Sequence, residues 1–102
     1  MKSPRYLLPA ILEFERAVDR YAEYFPRLAR VLHQAIVDSV ERIRRYPEIG
    51  IVLDPPVRRV VLSSHPFSVL YYVHENTVII VAIMHHRQEP GYWRDRLESG
   101  RA

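Results

Sequence analysis

The spacing of apolar residues changes along the chain, and each change marks an element. Arg5 to Leu8 suits one short strand, closed by Pro9, because proline within sheets keeps to edges and termini. From Ile11 the spacing becomes three and four: Ile11, Phe14, Val18, Tyr21 and Phe25, with Ala22 alongside. Glu13, Glu15, Arg16, Asp19, Arg20 and Glu23 fill the other faces, so an amphipathic helix is predicted. Pro26 interrupts the pattern and suits the first turn of a second helix. That helix carries the stripe Leu28, Leu32, Ala35, Ser39 and Ile43, widened by Val31, Ile36 and Val40. On its wet side Asp38–Arg42 and Glu41–Arg45 are spaced for ion pairs. It stops by Tyr46-Pro47, and the short connection at Pro26 makes the pair an antiparallel αα-hairpin.

Beyond the turn at Gly50 the period shortens. Ile51 to Pro56 reads as a loop stiffened by Asp54-Pro55-Pro56. Val57 to Leu62 and Phe67 to His74 read as strands around a turn at Ser63 to Pro66, and Glu75-Asn76 is a two-residue hairpin connection. Val78 to His85 is apolar almost throughout and rich in β-branched residues, the signature of a strand buried on both faces in the interior of a sheet. The predicted fold is α+β, a single domain over 1–102 in the order β-α-α-β-β-β with a short C-terminal helix or tail. A small antiparallel sheet, the N-terminal strand plus a three-stranded meander, packs against the helical hairpin. The face away from the helices would carry Leu70, Tyr72 and one set from the last strand. Such a face, left open, calls for a partner.

Composition narrows the function classes. There is no cysteine, which excludes disulfides and thiolate metal sites. No run approaches the length of about 18 apolar residues needed to cross a membrane, and the N-terminal apolar stretch is too short for a signal peptide, so a cytoplasmic location is expected. The net charge is +3 and the pI about 9.5, carried almost wholly by arginine, Lys2 being the sole lysine. Arginine serves equally as a solvated cation or as a planar, bidentate partner for an acidic polypeptide or nucleic acid.

The chemistry concentrates after the last strand. His85 and His86 are adjacent on a strand, point to opposite faces and cannot chelate one ion, so no metal or other cofactor is expected. His33 falls on a helix and His74 beside a hairpin turn. Ser63, Ser64 and Ser68 lack a Gly-x-Ser-x-Gly setting, and no glycine-rich phosphate loop is present. Arg58, Arg59 and Arg87 lie near strand ends and would converge on one basic surface, or else stand solvated at the sheet margins. Tyr92 and Trp93, after Pro90-Gly91, are expected to anchor a tail on the sheet; stacking on a base is the other use of such a pair.

Read together, a series of segments resembles the RelE/ParE superfamily of type II toxins, also known as plasmid stabilisation proteins. It comprises Ala17-Val18-Asp19-Arg20-Tyr21, then Val40, Ile43, Tyr46-Pro47 and Gly50, then Val57 to Leu62 and His65 to Val73, and finally Val81 to Arg87 with Pro90-Gly91-Tyr92-Trp93. The resemblance implies a cognate acidic antitoxin, no membrane association and no sequence-specific DNA binding. For the RelE branch it implies ribosome-dependent mRNA cleavage, for which Arg87, Tyr92 and Arg59 would be the catalytic residues. Here Ser68 stands where that branch carries a further arginine, and Asp54-Pro55-Pro56 replaces its lysines. The pattern His-Arg-x-x-Pro-x-Tyr-Trp is more similar to the ParE branch, which implies a non-enzymatic inhibitor of DNA gyrase with Arg58, Arg59, His86, Arg87, Tyr92 and Trp93 as target-binding residues. A module that keeps the fold without toxicity is the third reading.

Overall fold

Prolines set both helix starts. The computed structural model describes residues 1–97, so the last five positions of the predicted domain lie outside the described residues. Strand β1 spans Ser3–Tyr6 and helix α1 spans Leu8–Tyr24, which shifts the strand predicted at Arg5 to Leu8 toward the N-terminus. Pro9 does not end the strand; it sits in the first turn of α1, where a missing N–H costs nothing. Helix α2 covers Pro26–Arg45, and Phe25 alone joins the two: its N–H bonds to the Tyr21 carbonyl, and its own carbonyl accepts the Ala29 N–H. At the other end of α2, Arg42, Arg44 and Arg45 stand in the last turn, at the negative end of the helix dipole.

Strands β2 (Ile51–Asp54), β3 (Val57–Val61), β4 (Phe67–His74) and β5 (Thr77–His85) complete a sheet in the order β1-β5-β4-β3-β2. The predicted loop at Ile51 to Pro56 is therefore corrected: its first four residues form β2, with Ile51 opposite Arg59 and Val52 opposite Arg58. A short edge strand with every residue exposed shows no alternation, so nothing in the pattern marked it. The sheet is also mixed rather than wholly antiparallel, because β1 runs parallel to β5. That pairing makes β5 an interior strand, flanked by β1 and β4, as its unbroken apolar run predicts. In the β4–β5 hairpin the positive φ of +55° falls on Glu75 and not on Asn76. The strained residue is held by Lys2, whose Nζ donates to the Glu75 carbonyl at 3.1 Å.

The helices cover one face of the sheet, where Leu32, Ile36, Ile43, Val69, Tyr71, Ile80 and Ile83 form the main core. Ala10, Ala17 and Ala29 are the small residues that the helices bury. The buried row of α2 is Ala29, Leu32, Ile36, Ser39, Val40 and Ile43. Leu28 and Val31, expected in the core, stand 45% and 49% exposed, and Ile11 and Phe25 of α1 are exposed as well. Apolar residues continue around each helix for more than one row, and only the position of the sheet selects the row that is buried. Neither predicted ion pair forms: Asp38 accepts from Gln34 at 2.8 Å, and Glu41 pairs with Arg44 at 2.7 Å.

The opposite face is not left open. Leu70, Tyr72, Ile79, Val81, Met84 and Trp93 make a second buried cluster, with Tyr92 and Leu97 packed against it. The chain's own tail supplies the cover that the sequence suggested a partner would give. A bulge in β5 assists: Leu70 pairs with Ala82 and Tyr71 with Ile80, so Val81 is the extra residue. Val81 and Ala82 both face the second cluster, and the alternation resumes with Ile83 on the helix side.

Candidate functional site

His85, the last residue of β5, and His86 just beyond it lie on opposite faces. His85 turns to the helix side, edge-on to Phe67 with ring centroids 5.0 Å apart. Burial, then the charges of Arg87, His86 and Arg20, hold its imidazole below the ordinary histidine range. The neutral ring suits its contact, since Nδ1 accepts the Arg87 backbone N–H at 3.0 Å. His86 lies on the other face, where its Nε2 is 2.9 Å from Ser68 Oγ. Ser68 is fully buried and also accepts from Arg59 Nε at 2.9 Å. Arg59 on β3, Ser68 on β4 and His86 after β5 thus form one polar row across the sheet, at one end of the second cluster.

Of Arg58, Arg59 and Arg87, expected to converge, Arg59 stands beside His86 on Ser68 and Arg58 is sent elsewhere. Neighbours on a strand face opposite ways. Arg58 donates to the Glu48 and Gly50 carbonyls at 3.2 and 2.9 Å, and it lines an open cleft of about 590 Å³ with Lys2, Arg45 and Tyr46. Arg87 is exposed just past β5, and its guanidinium has no hydrogen bond or ion pair among the described residues.

Tyr92 and Trp93 are held by their surroundings. Gly91, at φ +78°, turns the chain back over the sheet, and Trp93 is only 2% exposed. The Tyr92 hydroxyl donates to Glu13 Oε2 at 2.6 Å, and Arg96 binds both carboxylate oxygens of Glu13, at 2.7 and 3.1 Å. Burial, then the hydrogen bond and charge of Glu13, push the Tyr92 phenol well above its ordinary range. Burial pulls the Arg96 guanidinium down, and the bonds and charge of Glu13 more than offset it. The same cluster satisfies the backbone where β5 bulges beyond the reach of β1: Arg96 donates to the Val81 carbonyl at 3.2 Å, and Glu13 Oε1 accepts the Ile83 N–H at 3.1 Å. Glu13 reads in sequence as one more solvated charge on α1. Its partner lies 83 positions away, and no local pattern announces such a pair.

The face of the row formed by Arg59, Ser68 and His86 opens on a cleft of about 240 Å³, bounded by β2 on one side and the tail on the other. Arg94 in the tail pairs across it with Asp54 on β2 at 3.1 Å, both side chains being more than half exposed. Among the described residues no three His, Cys, Asp or Glu side chains stand close enough to hold a metal ion. No described helix is long and apolar enough to cross a membrane.

Comparison with known proteins fits this architecture. A chain described as a chromosomal ParDE TA system from P. aeruginosa superposes with a TM-score of 0.73 at 25% identity, over 83% of this chain and 96% of that one. No curated protein matches the sequence. The family model for the ParE toxin of the type II toxin-antitoxin system parDE matches residues 5–90, which takes in both helices and every strand from the end of β1 onward. The chain belongs to the ParE toxin family of type II toxin-antitoxin systems.

Proposed function

We propose that this chain is a toxin that inhibits DNA gyrase by binding it in the cytoplasm, and that a cognate acidic antitoxin neutralises it. The observation that carries the reading is the match to the ParE model across residues 5–90. The solved chain that superposes on this one is described as part of a ParDE system, which supports a paired antitoxin here. The hairpin offers such a partner exposed apolar side chains, Leu28 and Val31 on α2 and Ile11 and Leu12 on α1. Arg27 and Arg30 flank Leu28 and Val31 in the chain and suit an acidic occupant there.

The target-facing surface, in this reading, is the end of the sheet that carries Arg59 and His86, with Arg87 exposed just past β5. Trp93 and Tyr92 contribute by holding the tail in place, since one is buried and the hydroxyl of the other is engaged by Glu13. Arg58 serves a separate surface.

The alternative, mRNA cleavage on the ribosome, asks for a tyrosine and arginines free to meet the scissile phosphate. Against it, the Tyr92 phenol is bound to a carboxylate and its pKa is driven upward. Two assays decide between the readings. Purified protein is expected to block gyrase supercoiling and to leave ribosome-bound mRNA uncut in primer extension. Cuts in the A site with gyrase unaffected would reverse the choice.

A further inference from the structure

The polar row beside the tail has a direction. Ser68 Oγ has a single proton and already accepts from Arg59 Nε. The arrangement that satisfies every group has Ser68 donating to His86 Nε2, which places the imidazole proton on Nδ1. The row then ends in donors only: the Nη groups of Arg59 on one side and the Nδ1–H of His86 on the other. None of these has a partner among the described residues, and both side chains line the 240 Å³ cleft. Both donors reach solvent through the cleft, and an anion seated there would meet a pair of donors that Ser68 already holds in place, forming charge-assisted bonds stronger than those to water.

The rest of the cleft restricts which anion fits. Leu53, Met84 and Trp93 give it an apolar wall, suited to the methylenes of a side chain. Its volume lies below the usual range for small-molecule pockets, roughly 300–1,000 Å³. Asp54 stands at the rim, so a second negative charge on the ligand meets repulsion only partly offset by Arg94. A planar monoanion on a short aliphatic stem answers all of these conditions. We infer that the cleft between β2 and the tail receives a Glu or Asp side chain of a protein partner, the antitoxin of the reading above, gripped by Arg59 and His86 on the Ser68 tether. The inference rests on that reading for the identity of the partner, and on the cleft alone for the chemistry.

The chemistry is tested on the full chain by NMR, following the Arg59 Nε–H and His86 ring signals. N-acetylglutamate methylamide, its glutamine analogue and inorganic phosphate are titrated at constant ionic strength. The glutamate probe is expected to bind at millimolar concentration and at least about tenfold more tightly than the glutamine analogue. Arg59→Gln should abolish the response, and Ser68→Ala should weaken it several-fold while Arg58→Gln leaves it unchanged. Thermal melting of each variant reports whether it is folded. Equal response to both amides, tighter binding of phosphate, or loss of binding in folded Arg58→Gln overturns the inference. Failure of the partner reading looks different: no stable complex forms between the wild-type chain and the product of the neighbouring reading frame. If that complex forms and folded Arg59→Gln binds as tightly as wild type, the reading stands and the cleft inference falls.

Discussion

At the scale of single residues, two neighbouring tyrosines on β4 have opposite accounts. Tyr71 points into the helix-side core, donates to the Pro47 carbonyl at 2.7 Å and accepts the Gly50 N–H at 3.0 Å. That is why position 50 is glycine: a Cβ there would come within 2.8 Å of the Tyr71 hydroxyl and 2.9 Å of Arg58 Cβ. Tyr72 points the other way, and its buried hydroxyl has no hydrogen-bond partner among the described residues. Tyr71→Phe is expected to cost about 1–3 kcal/mol, because the Gly50 N–H and Pro47 carbonyl lose their partner. Tyr72→Phe should be neutral or stabilising by up to about 1 kcal/mol, since it removes only a desolvated hydroxyl. Urea unfolding of both variants checks the contrast, and equal losses would contradict it. His85 adds a pH dependence. Burial and then nearby positive charge lower its pKa in the folded chain relative to the unfolded value of about 6.5. Its contribution to stability is therefore complete above about pH 6.5 and is lost as pH falls through the folded value. His85→Gln should flatten the stability profile between neutral and mildly acidic pH, and an unchanged slope would exclude this histidine as a source.

At the scale of elements, the tail acts as a strap fastened at two points. Trp93 is sunk in the second cluster, and the Arg96–Glu13 pair, with both side chains less than a fifth exposed, ties the tail to α1 across the open edge of β5. Breaking an ion pair so buried leaves a charge without its counterpart and exposes the bulge carbonyl and the Ile83 N–H. Glu13→Gln is expected to cost about 2 kcal/mol, less than a full charge deletion because the amide keeps one acceptor. Hydrogen exchange should accelerate at Ile83 and through Tyr92 to Arg96, with α2 unaffected. Uniform acceleration across the chain would mean that the strap is not a local unit. Trp93→Ala is the harsher change, at about 3–5 kcal/mol, and any loss of toxicity it causes is read together with its melting temperature.

At the scale of the whole molecule, one sheet face is closed by helices and the other by the tail, so partners must use what remains outside. In the reading proposed above the exposed apolar residues of the hairpin serve the antitoxin, Arg87 serves the target, and the cleft at Arg59 and His86 takes an antitoxin carboxylate, so variants on the hairpin and at Arg87 should differ in effect. Leu28→Ser with Val31→Ser is expected to leave the melting temperature within a few degrees of wild type, since both residues are already about half exposed. The same pair should weaken the antitoxin complex at least tenfold while toxicity persists. Arg87→Ala should do the converse: unchanged stability, reduced growth inhibition. A fully toxic, fully stable Arg87→Ala would remove that end of the sheet from the target surface.

Local pattern was enough for the elements whose burial is continuous. The period of α1 and α2, the proline at the second helix start and the apolar run of β5 determined an α+β fold with β5 inside the sheet, because desolvating those residues leaves few alternatives. The resemblance along the chain likewise pointed to the toxin family that the model match shows. Tertiary structure decided what depends on distant partners. Strand β2 exists because β3 offers it hydrogen bonds, β1 is parallel because the hairpin carries the chain back over the sheet, and the helix row that is buried follows the sheet's position. Arg58 and Arg59 part company because the pleat alternates, a rule that needs the strand boundaries before it can be applied. Glu13 with Arg96, and Ser68 with Arg59 and His86, are each ordinary polar residues in sequence. They become a strap and a polar row only when folding brings them within hydrogen-bond reach, since the energy of such groups depends on separation in space and not along the chain.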